Sequence, residues 1–538
     1  MINGRGRPVY SGVAIGKIYV YRKVETELKH LSSDKEKELE RYHAAQDTAR
    51  EQLKVLYDKA LKDLGEEQSA IIDIQMMLVD DLDFVEAVEE MINSGCDAAF
   101  AVHETGDAQA TMFASLDDEY MKARATDVRD ISDRLVKILL GTDSSFKMKE
   151  PGILLAEDLT PSETVQLEKD KILAFVTRSG SSNSHTAILA RVMNIPSLVQ
   201  TDIDIDPSLN GKTMIVDGFS GDYYIDPTDE VMAEMQKKKA NANSYREQLE
   251  KYRGVPSVTK KGQKVNLYAN IGNADDLKYV VEGDAEGIGL LRSEFLYLGR
   301  STFPTEDELF EKYKQVVTGM NGRRTVIRTL DIGADKKVDY FNLAPEENPA
   351  LGYRGIRICL LQRDIFRTQM RAIYRASAFG PVSIMFPMII SVKEVRDIKE
   401  FCEGIKKELE ADGYKYGEDT ELGIMIETPA AAVMSDELAA EVDFFSVGTN
   451  DLTQYTLAID RQNATLDYFY DPHHPAILRL LRMIAENAHK AGIWAGICGE
   501  LAADLSLTDT FLEMGYDELS VSPSRILELR KKVIESEV

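Results

Sequence analysis

Apolar residues recur along this chain with several distinct periods, and the changes between them mark out domains. Residues 1–22 carry short apolar runs broken by glycine: Val9-Tyr10, then Gly12 and Gly16, then Ile18-Tyr19-Val20-Tyr21. That is a strand-and-turn pattern. From Ser33 the spacing becomes helical. Ser33 and Glu36 form a capping-box pattern. Leu39, Tyr42, Ala45, Ala49, Leu53 and Leu56 follow at intervals of three and four. The pattern runs to about Leu140 with few glycines, which predicts a helical insertion, residues 23–140, built of antiparallel hairpins. After Gly141 short β-branched runs return, at Ile153-Leu154-Leu155, Ile172–Val176, Met214-Ile215-Val216 and Tyr223-Tyr224-Ile225. These are expected to pair with the first strands across the insertion, making one α/β domain of residues 1–22 and 141–227. Residues 228–261 are charged and helical in pattern, a solvated linker that can also act as a lever.

From residue 262 to 538 short apolar runs alternate with helix-length segments. The runs are Val265–Asn270, Gly287–Leu291, Thr325–Leu330, Ser383–Pro387, Gly423–Ile426, Phe444–Val447, Trp494–Ile497 and Leu519–Val521. Such βα repetition predicts a (β/α)8 TIM barrel. The fold class is therefore multidomain α/β: an N-terminal α/β domain with an all-helical insertion, and a C-terminal TIM barrel.

Length supports several domains, since 538 residues exceed what one core organises. The formal charge of -27 argues against nucleic acid or an anionic membrane as partner. It also means that any site for a phosphorylated substrate must be a local island of Arg, Lys and metal. The four cysteines, Cys96, Cys359, Cys402 and Cys498, have neither disulfide-framework nor zinc-ligand spacing. No signal-peptide core or transmembrane run is apparent, which predicts a cytoplasmic protein.

Two constellations carry chemistry. In Ser179–Arg191, small polar residues precede His185 and an apolar-periodic run follows it. His185 is thus expected in a first helical turn, where free N–H groups and the macrodipole disfavour an imidazolium and favour a phosphoryl group. The second constellation lies at the ends of the barrel strands, where such barrels keep their reactive groups. Glu427 and Asp451 are hard oxygen ligands suited to Mg²⁺. Arg292, Arg328 and Arg461 can fork onto phosphate and carboxylate oxygens, and Lys336 and Arg354 add positive charge. Cys498, between Ile497 and Gly499 at a strand end, is a candidate proton donor. Cations and a metal in one pocket match phosphoryl transfer.

Four segments are the most specific: Ser184–Arg191, Glu286–Phe295, Ile327–Gly333 and Val447–Tyr455. With them the chain resembles, over essentially its whole length, Enzyme I of the bacterial phosphoenolpyruvate-dependent sugar phosphotransferase system. The resemblance implies that phosphoenolpyruvate and Mg²⁺ bind in the barrel and that His185 takes the phosphoryl group, with pyruvate enolate leaving. It implies that Arg292, Arg328, Arg461 and the Asn450 region bind substrate. It further implies that Glu427 and Asp451 hold the metal and that Cys498 protonates the enolate carbon. The helical insertion would dock the phosphocarrier HPr, and the barrel would form a homodimer. The acidic, Met-containing segment Glu66 to Asp81 is a candidate part of the HPr surface.

The chain departs from the family pattern at Ser181-Ser182-Asn183 before Ser184-His185, and at Ala334 and Ala503 where glycine is usual. No sensor domain precedes Met1, which favours the sugar-system form over the nitrogen-related one. The alternatives are a non-catalytic phosphoprotein regulator, or a pyruvate phosphate dikinase or phosphoenolpyruvate synthase relative. The latter would need a nucleotide-binding domain, for which there is neither the length nor a Gly-rich loop. The other histidines, His30, His43, His103, His473, His474 and His489, read as surface or packing residues rather than metal ligands.

Overall fold

The computed structural model describes residues 1–21, 28, 30–32, 34–64, 66–115, 119–141, 148–160, 163–164, 167–180, 185–193, 195–298, 300, 302–333, 338–461, 463, 466 and 468–538. The chain divides into two compact units, Met1–Tyr245 and Arg246–Val538.

The first unit is built on an eight-stranded sheet. Its strands are β1 (Ile2–Arg5), β2 (Arg7–Tyr10), β3 (Val13–Tyr21), β4 (Gly152–Ala156), β5 (Ile172–Thr177), β6 (Ser197–Val199), β7 (Thr213–Asp217) and β8 (Asp222–Ile225). They lie in the order β1-β8-β7-β3-β4-β5-β6-β2. Strand β3 pairs in parallel with β4, with Ile18 opposite Ile153, so the chain leaves the sheet for the helical insertion and returns beside its point of departure. Alternate residues feed two cores. Ile18, Ile153, Leu155, Ala174 and Val176 face one side. Leu154, Ala156 and Phe175 face the other. This is the period-two consequence of a sheet covered on both faces.

The insertion consists of α1 (Lys35–Leu64), α2 (Glu66–Val79), α3 (Leu82–Asn93), α4 (Ala98–Ser115) and α5 (Glu119–Leu140). The predicted stripe of α1 is its buried face: Tyr42, Ala45, Ala49, Leu53 and Leu56 all enter one core. Ser33 of the expected capping box lies outside the described residues. The cap that is described belongs to Asp34, whose carboxylate accepts the Lys37 N–H at 3.2 Å. Glu38, rather than Glu36, is the acid that works structurally, accepting the Ala98 N–H at 3.1 Å and so tying α1 to the start of α4. Residues Asp229–Glu250 form one long helix.

The second unit is a closed barrel of β9 (Asn266–Ile271), β10 (Gly287–Arg292), β11 (Thr325–Arg328), β12 (Val382–Phe386), β13 (Glu421–Ile426), β14 (Phe444–Val447), β15 (Trp494–Ile497) and β16 (Glu518–Val521). All neighbours pair in parallel, and β16 closes on β9 with Leu519 opposite Leu267. Leu290, Val326, Met385, Met425, Phe444 and Cys498 pack together with Trp494 as a cluster of their own, separate from the larger core that includes the surrounding helices. Phe444 stacks on Trp494 at 4.4 Å between ring centroids. Gly423 leaves the space that the Phe444 ring occupies, since a Cβ there would collide with it.

Candidate active site

Each barrel strand delivers its last residues to the same rim, and the local sequence fixes how. Arg292 ends β10 and Arg328 ends β11, and the two are register partners on adjacent strands. Glu427 follows β13, where the Thr428 hydroxyl accepts the Ala431 N–H at 3.1 Å and donates to the Ile389 carbonyl at 2.8 Å. That double bond anchors the turn into the short helix Pro429–Val433. Asn450 and Asp451 open the helix Thr449–Leu457 after β14. Cys498 follows β15, and its carbonyl accepts a hydrogen bond from the Asn270 amide at 3.0 Å. The next residue must be glycine, because a Cβ at Gly499 would collide with Thr449. Glu500 N–H then donates to Asn450 Oδ1 at 3.0 Å.

These side chains form an alternating lattice of buried charge. Arg328 Nη2 meets Glu294 Oε1 at 2.5 Å and its Nη1 meets Asp331 Oδ2 at 3.3 Å. Arg354 Nη2 reaches Asp331 Oδ2 at 3.0 Å and Asp451 Oδ2 at 3.6 Å. Its Nη1 donates to the Tyr455 hydroxyl at 3.2 Å. Arg461 Nη2 lies 3.1 Å from Asp451 Oδ1. Glu427 Oε1 accepts the Met388 N–H at 2.7 Å. Gln369, from the helix Arg363–Ser377, accepts the Leu330 N–H at 2.9 Å and donates to Ser293 at 2.9 Å, holding the loops that carry Arg328 and Glu294.

Burial alone would weaken the charge on Arg328, but Glu294, Asp331 and Glu427 outweigh it and raise its pKa above the ordinary guanidinium value. Arg354 behaves alike, with Asp331 and Asp451 opposing the effect of burial. Four buried carboxylates, Glu294, Asp331, Glu427 and Asp451, stand against two buried guanidiniums, Arg328 and Arg354. The excess negative charge falls on Glu427, which is 1% exposed. Burial, with Asp451 and Asp331 adding, pushes its pKa up to about 8. An acid raised in this way is a place where a divalent cation relieves strain in the charge balance. Two carboxylates with the remaining positions open suit Mg²⁺, which keeps waters and takes substrate oxygens. The donor set therefore fits that ion. Burial also pushes the Cys498 thiol up to about 12, so it stays protonated near neutral pH, as an acid should and a nucleophile should not.

The structure brings Arg328, Arg354, Glu427, Asp451 and Arg461 together, with Asn450 and Cys498 on adjoining strand ends. Arg292 reaches the same rim with an exposed side chain and no described polar partner among the described residues. Lys336 lies outside the described residues. In the first unit the backbone of His185 opens the helix His185–Met193, as expected of a first-turn residue, while its imidazole lies outside the described atoms. Ser181, Ser182, Asn183 and Ala334 also lie outside the described residues. Sequence reasoning missed Glu294, Tyr455, Met388 and Gln369. Glu294 and Tyr455 fall inside segments singled out above, but nothing local says that they brace arginines. Of the other histidines, His473 meets Asp504 at 2.6 Å and His489 meets Asp517 at 2.9 Å, which are surface pairings.

Comparison with known proteins gives this lattice its context. A family model described as the PEP-binding domain of PEP-utilising enzymes matches residues 246–538. The mobile-domain model of the same enzymes matches residues 148–221, and their N-terminal model matches residues 5–124. The chain is 43% identical over 533 residues to the phosphoenolpyruvate-protein phosphotransferase of Staphylococcus carnosus, covering 98% of this chain and 93% of that one. The chain belongs to the phosphoenolpyruvate-protein phosphotransferases. The Bacillus subtilis phosphoenolpyruvate-protein phosphotransferase is likewise 43% identical over 535 residues, covering 98% of this chain and 94% of that one. A solution structure of an Enzyme I protein matches 45% of this chain and 99% of its own, at 31% identity and a TM-score of 0.38. As a member of the phosphoenolpyruvate-protein phosphotransferases, the chain is an enzyme of the transferase class. Among the described residues no helix is long and apolar enough to cross a membrane.

Proposed function

We propose that this chain takes the phosphoryl group of phosphoenolpyruvate onto His185, passes it to the phosphocarrier HPr and releases pyruvate. That would be the first step of sugar uptake by the phosphotransferase system, in the cytoplasm. The observation that carries the reading is the alternation of buried arginines and carboxylates around Glu427 and Asp451. Arg328, Arg354, Arg461 and the exposed Arg292, with Lys336 and Asn450, would bind the phosphate and carboxylate of the substrate, where fixed guanidiniums are worth more than in water. Glu427 and Asp451 would hold Mg²⁺, which when bound supplies charge neutralisation at the substrate oxygens.

A ring nitrogen of His185 attacks phosphorus in line as the bond to the enolate oxygen breaks. The helix N-terminus that carries His185 favours the resulting negative charge. Cys498 then gives its proton to the enolate carbon, forming pyruvate. His185 and the barrel belong to separate compact units, and HPr must reach His185 as well. A hinge motion about residues 228–261 therefore accompanies the cycle, with the helical insertion docking HPr and the barrel forming the homodimer.

The test is incubation of the purified chain with phosphoryl-labelled phosphoenolpyruvate and Mg²⁺, beside His185→Ala. One acid-labile label and one pyruvate per parent chain are expected, and neither from the variant. Label on the variant, or none on the parent, would overturn the reading.

A further inference from the structure

A buried carboxylic acid inside the barrel has no part in the lattice at its rim. Glu518 begins β16 and is 1% exposed. In register it stands opposite Gly496 of β15, which stands opposite Ser446 of β14. The middle position of this row is a glycine, and a Cβ there would collide with Glu518 Oε2. A Cβ at Gly289 of β10 would collide with Oε1. The carboxyl therefore fills space that two glycines leave open, with Oε2 over Gly496, which separates Glu518 from Ser446 in the row, and Oε1 over Gly289, where Ser520 Oγ is also close. Cys498 lies two residues beyond Gly496 on the same strand, hence on the same face.

Cys498 Sγ donates to the carbonyl of Val447, the residue after Ser446, at 3.7 Å, and Ser446 Oγ itself has no hydrogen-bond partner among the described residues. Glu518 Oε1 also has no hydrogen-bond partner among the described residues. A buried polar atom without a partner is costly and calls for a reason. On the other side, Arg324 and Glu421 pair at 3.1 Å, each about a third exposed, at the strand-start face of the barrel. Trp494 Nε1 donates to the same Glu421 at 3.4 Å. The charged and titratable groups facing Glu518 are Arg324, Asp517, Tyr268 and Cys498. Burial raises the Glu518 pKa well above the carboxylate range, with the Ser520 hydroxyl and then Arg324 opposing, so the acid is held protonated.

We propose that Glu518 restores the Cys498 proton through Ser446, drawing on water at the face of the barrel opposite the substrate. The inference rests on Cys498 being the donor to the enolate. When the C–H bond of pyruvate forms, the S–H bond breaks and leaves a thiolate. The Ser446 hydroxyl gives its proton to sulfur while Glu518 gives its own to the Ser446 oxygen. The Glu518 carboxylate, faced by Arg324, then takes a proton from water. One water proton is consumed per pyruvate, and no electron changes hands.

The test uses the full chain with Mg²⁺, phosphoenolpyruvate and carbon-labelled pyruvate in D₂O. Reversible phosphoryl transfer exchanges carbon between the two pools, and each cycle passes a methyl hydrogen through Cys498. The informative quantity is solvent deuterium entering pyruvate per carbon exchanged, which general loss of structure does not move. Glu518→Gln is expected to lower this ratio about tenfold or more, Ser446→Ala to lower it similarly, and Glu518→Asp to recover part of it. A Glu518→Gln ratio equal to the parent's would overturn the inference. Cys498→Ala separates the two readings. If it leaves both exchanges at the parent's level, the donor assignment itself has failed. If it lowers them while Glu518→Gln keeps the parent's ratio, only the relay has failed.

Discussion

The buried carboxylates of the barrel rim and Asp130 of the first unit have opposite surroundings. At the barrel rim Glu294, Asp331, Glu427 and Asp451 are interleaved with Arg328, Arg354 and Arg461. Where the helical insertion meets the sheet, Asp130 of α5 is held by neutral donors, Gln75 Nε2 at 2.8 Å and Thr160 Oγ1 at 3.0 Å. Glu163 accepts the Thr160 N–H at 2.9 Å, and Asp127 meets Arg124 at 3.0 Å. Neutral donors satisfy a carboxylate and leave nothing to exchange. Interleaved guanidiniums can trade a carboxylate for a phosphate at small cost in geometry, because both present oxygens to the same fork. A buried acid therefore does not by itself mark a binding site. The mark is an acid that shares its arginine with other acids, with negative charge left over.

The strongest way to break this contrast is Arg328→Met. Glu294 would lose its 2.5 Å pairing with Arg328, and Asp331 would keep only Arg354 of its two guanidiniums. Removing one member of a buried ion pair costs about 3–5 kcal/mol. Phosphoenolpyruvate-dependent labelling should fall about 10³-fold, the loss expected when a fixed charge-stabilising donor is removed. Denaturant unfolding and the labelling rate check the two. Arg328→Lys should recover stability better than rate, since a point charge cannot span Glu294 and Asp331 as a fork does. Next comes Glu427→Gln. It removes the acid that a divalent cation would draw into its charged form as a ligand. Labelling at fixed Mg²⁺ should fall about 10²-fold, and the Mg²⁺ concentration for half-maximal rate should rise. An unchanged Mg²⁺ requirement would remove Glu427 from the metal site.

Much of the barrel was legible because its strands are apolar runs with clear breaks. Phe444–Val447 and Trp494–Ile497 have the expected bounds. Strands β13 and β16 begin earlier than the apolar pattern suggests, at Glu421 and Glu518, because an acid inside a strand reads as a loop. Strand β6 was missed because three residues show no period. Residue types at strand ends were enough to gather Arg328, Arg354, Glu427, Asp451 and Cys498. What could not be read was pairing between distant segments. Gln369, on a helix 39 and 76 residues from the two loop residues it braces, carries no local sign of that work.

At the junction the same contrast predicts a smaller effect with a definite sign. Burial, with Asp130 adding and Arg124 opposing, pushes the Asp127 carboxyl up to about 6 from its usual 3.8. The folded chain thus keeps a proton that the unfolded chain gives up. Its stabilising contribution is complete below about 3.8 and is lost as pH rises through about 6, a difference of at most about 3 kcal/mol. Asp127→Asn should flatten this part of the profile, read as the difference between parent and variant in urea unfolding across that range. The barrel lattice should be untouched, so a changed Mg²⁺ requirement in Asp127→Asn would contradict the separation of the two clusters.

The smallest effect belongs to Thr160→Val, and it sharpens the contrast most finely. The hydroxyl is one of two neutral donors to Asp130 among the described residues and bridges the loop after β4 to α5. Valine keeps the volume and removes the donor. Asp130 retains Gln75, so it is left short of one bond rather than stranded, and the cost should be about 1 kcal/mol. Amide hydrogen exchange in the middle of α5 should rise by the corresponding factor, about fivefold. If the joint were instead held by charge, as the rim is, the loss would approach that of Arg328→Met and would weaken with added salt. A salt-independent loss of about 1 kcal/mol is the outcome that a neutral joint requires.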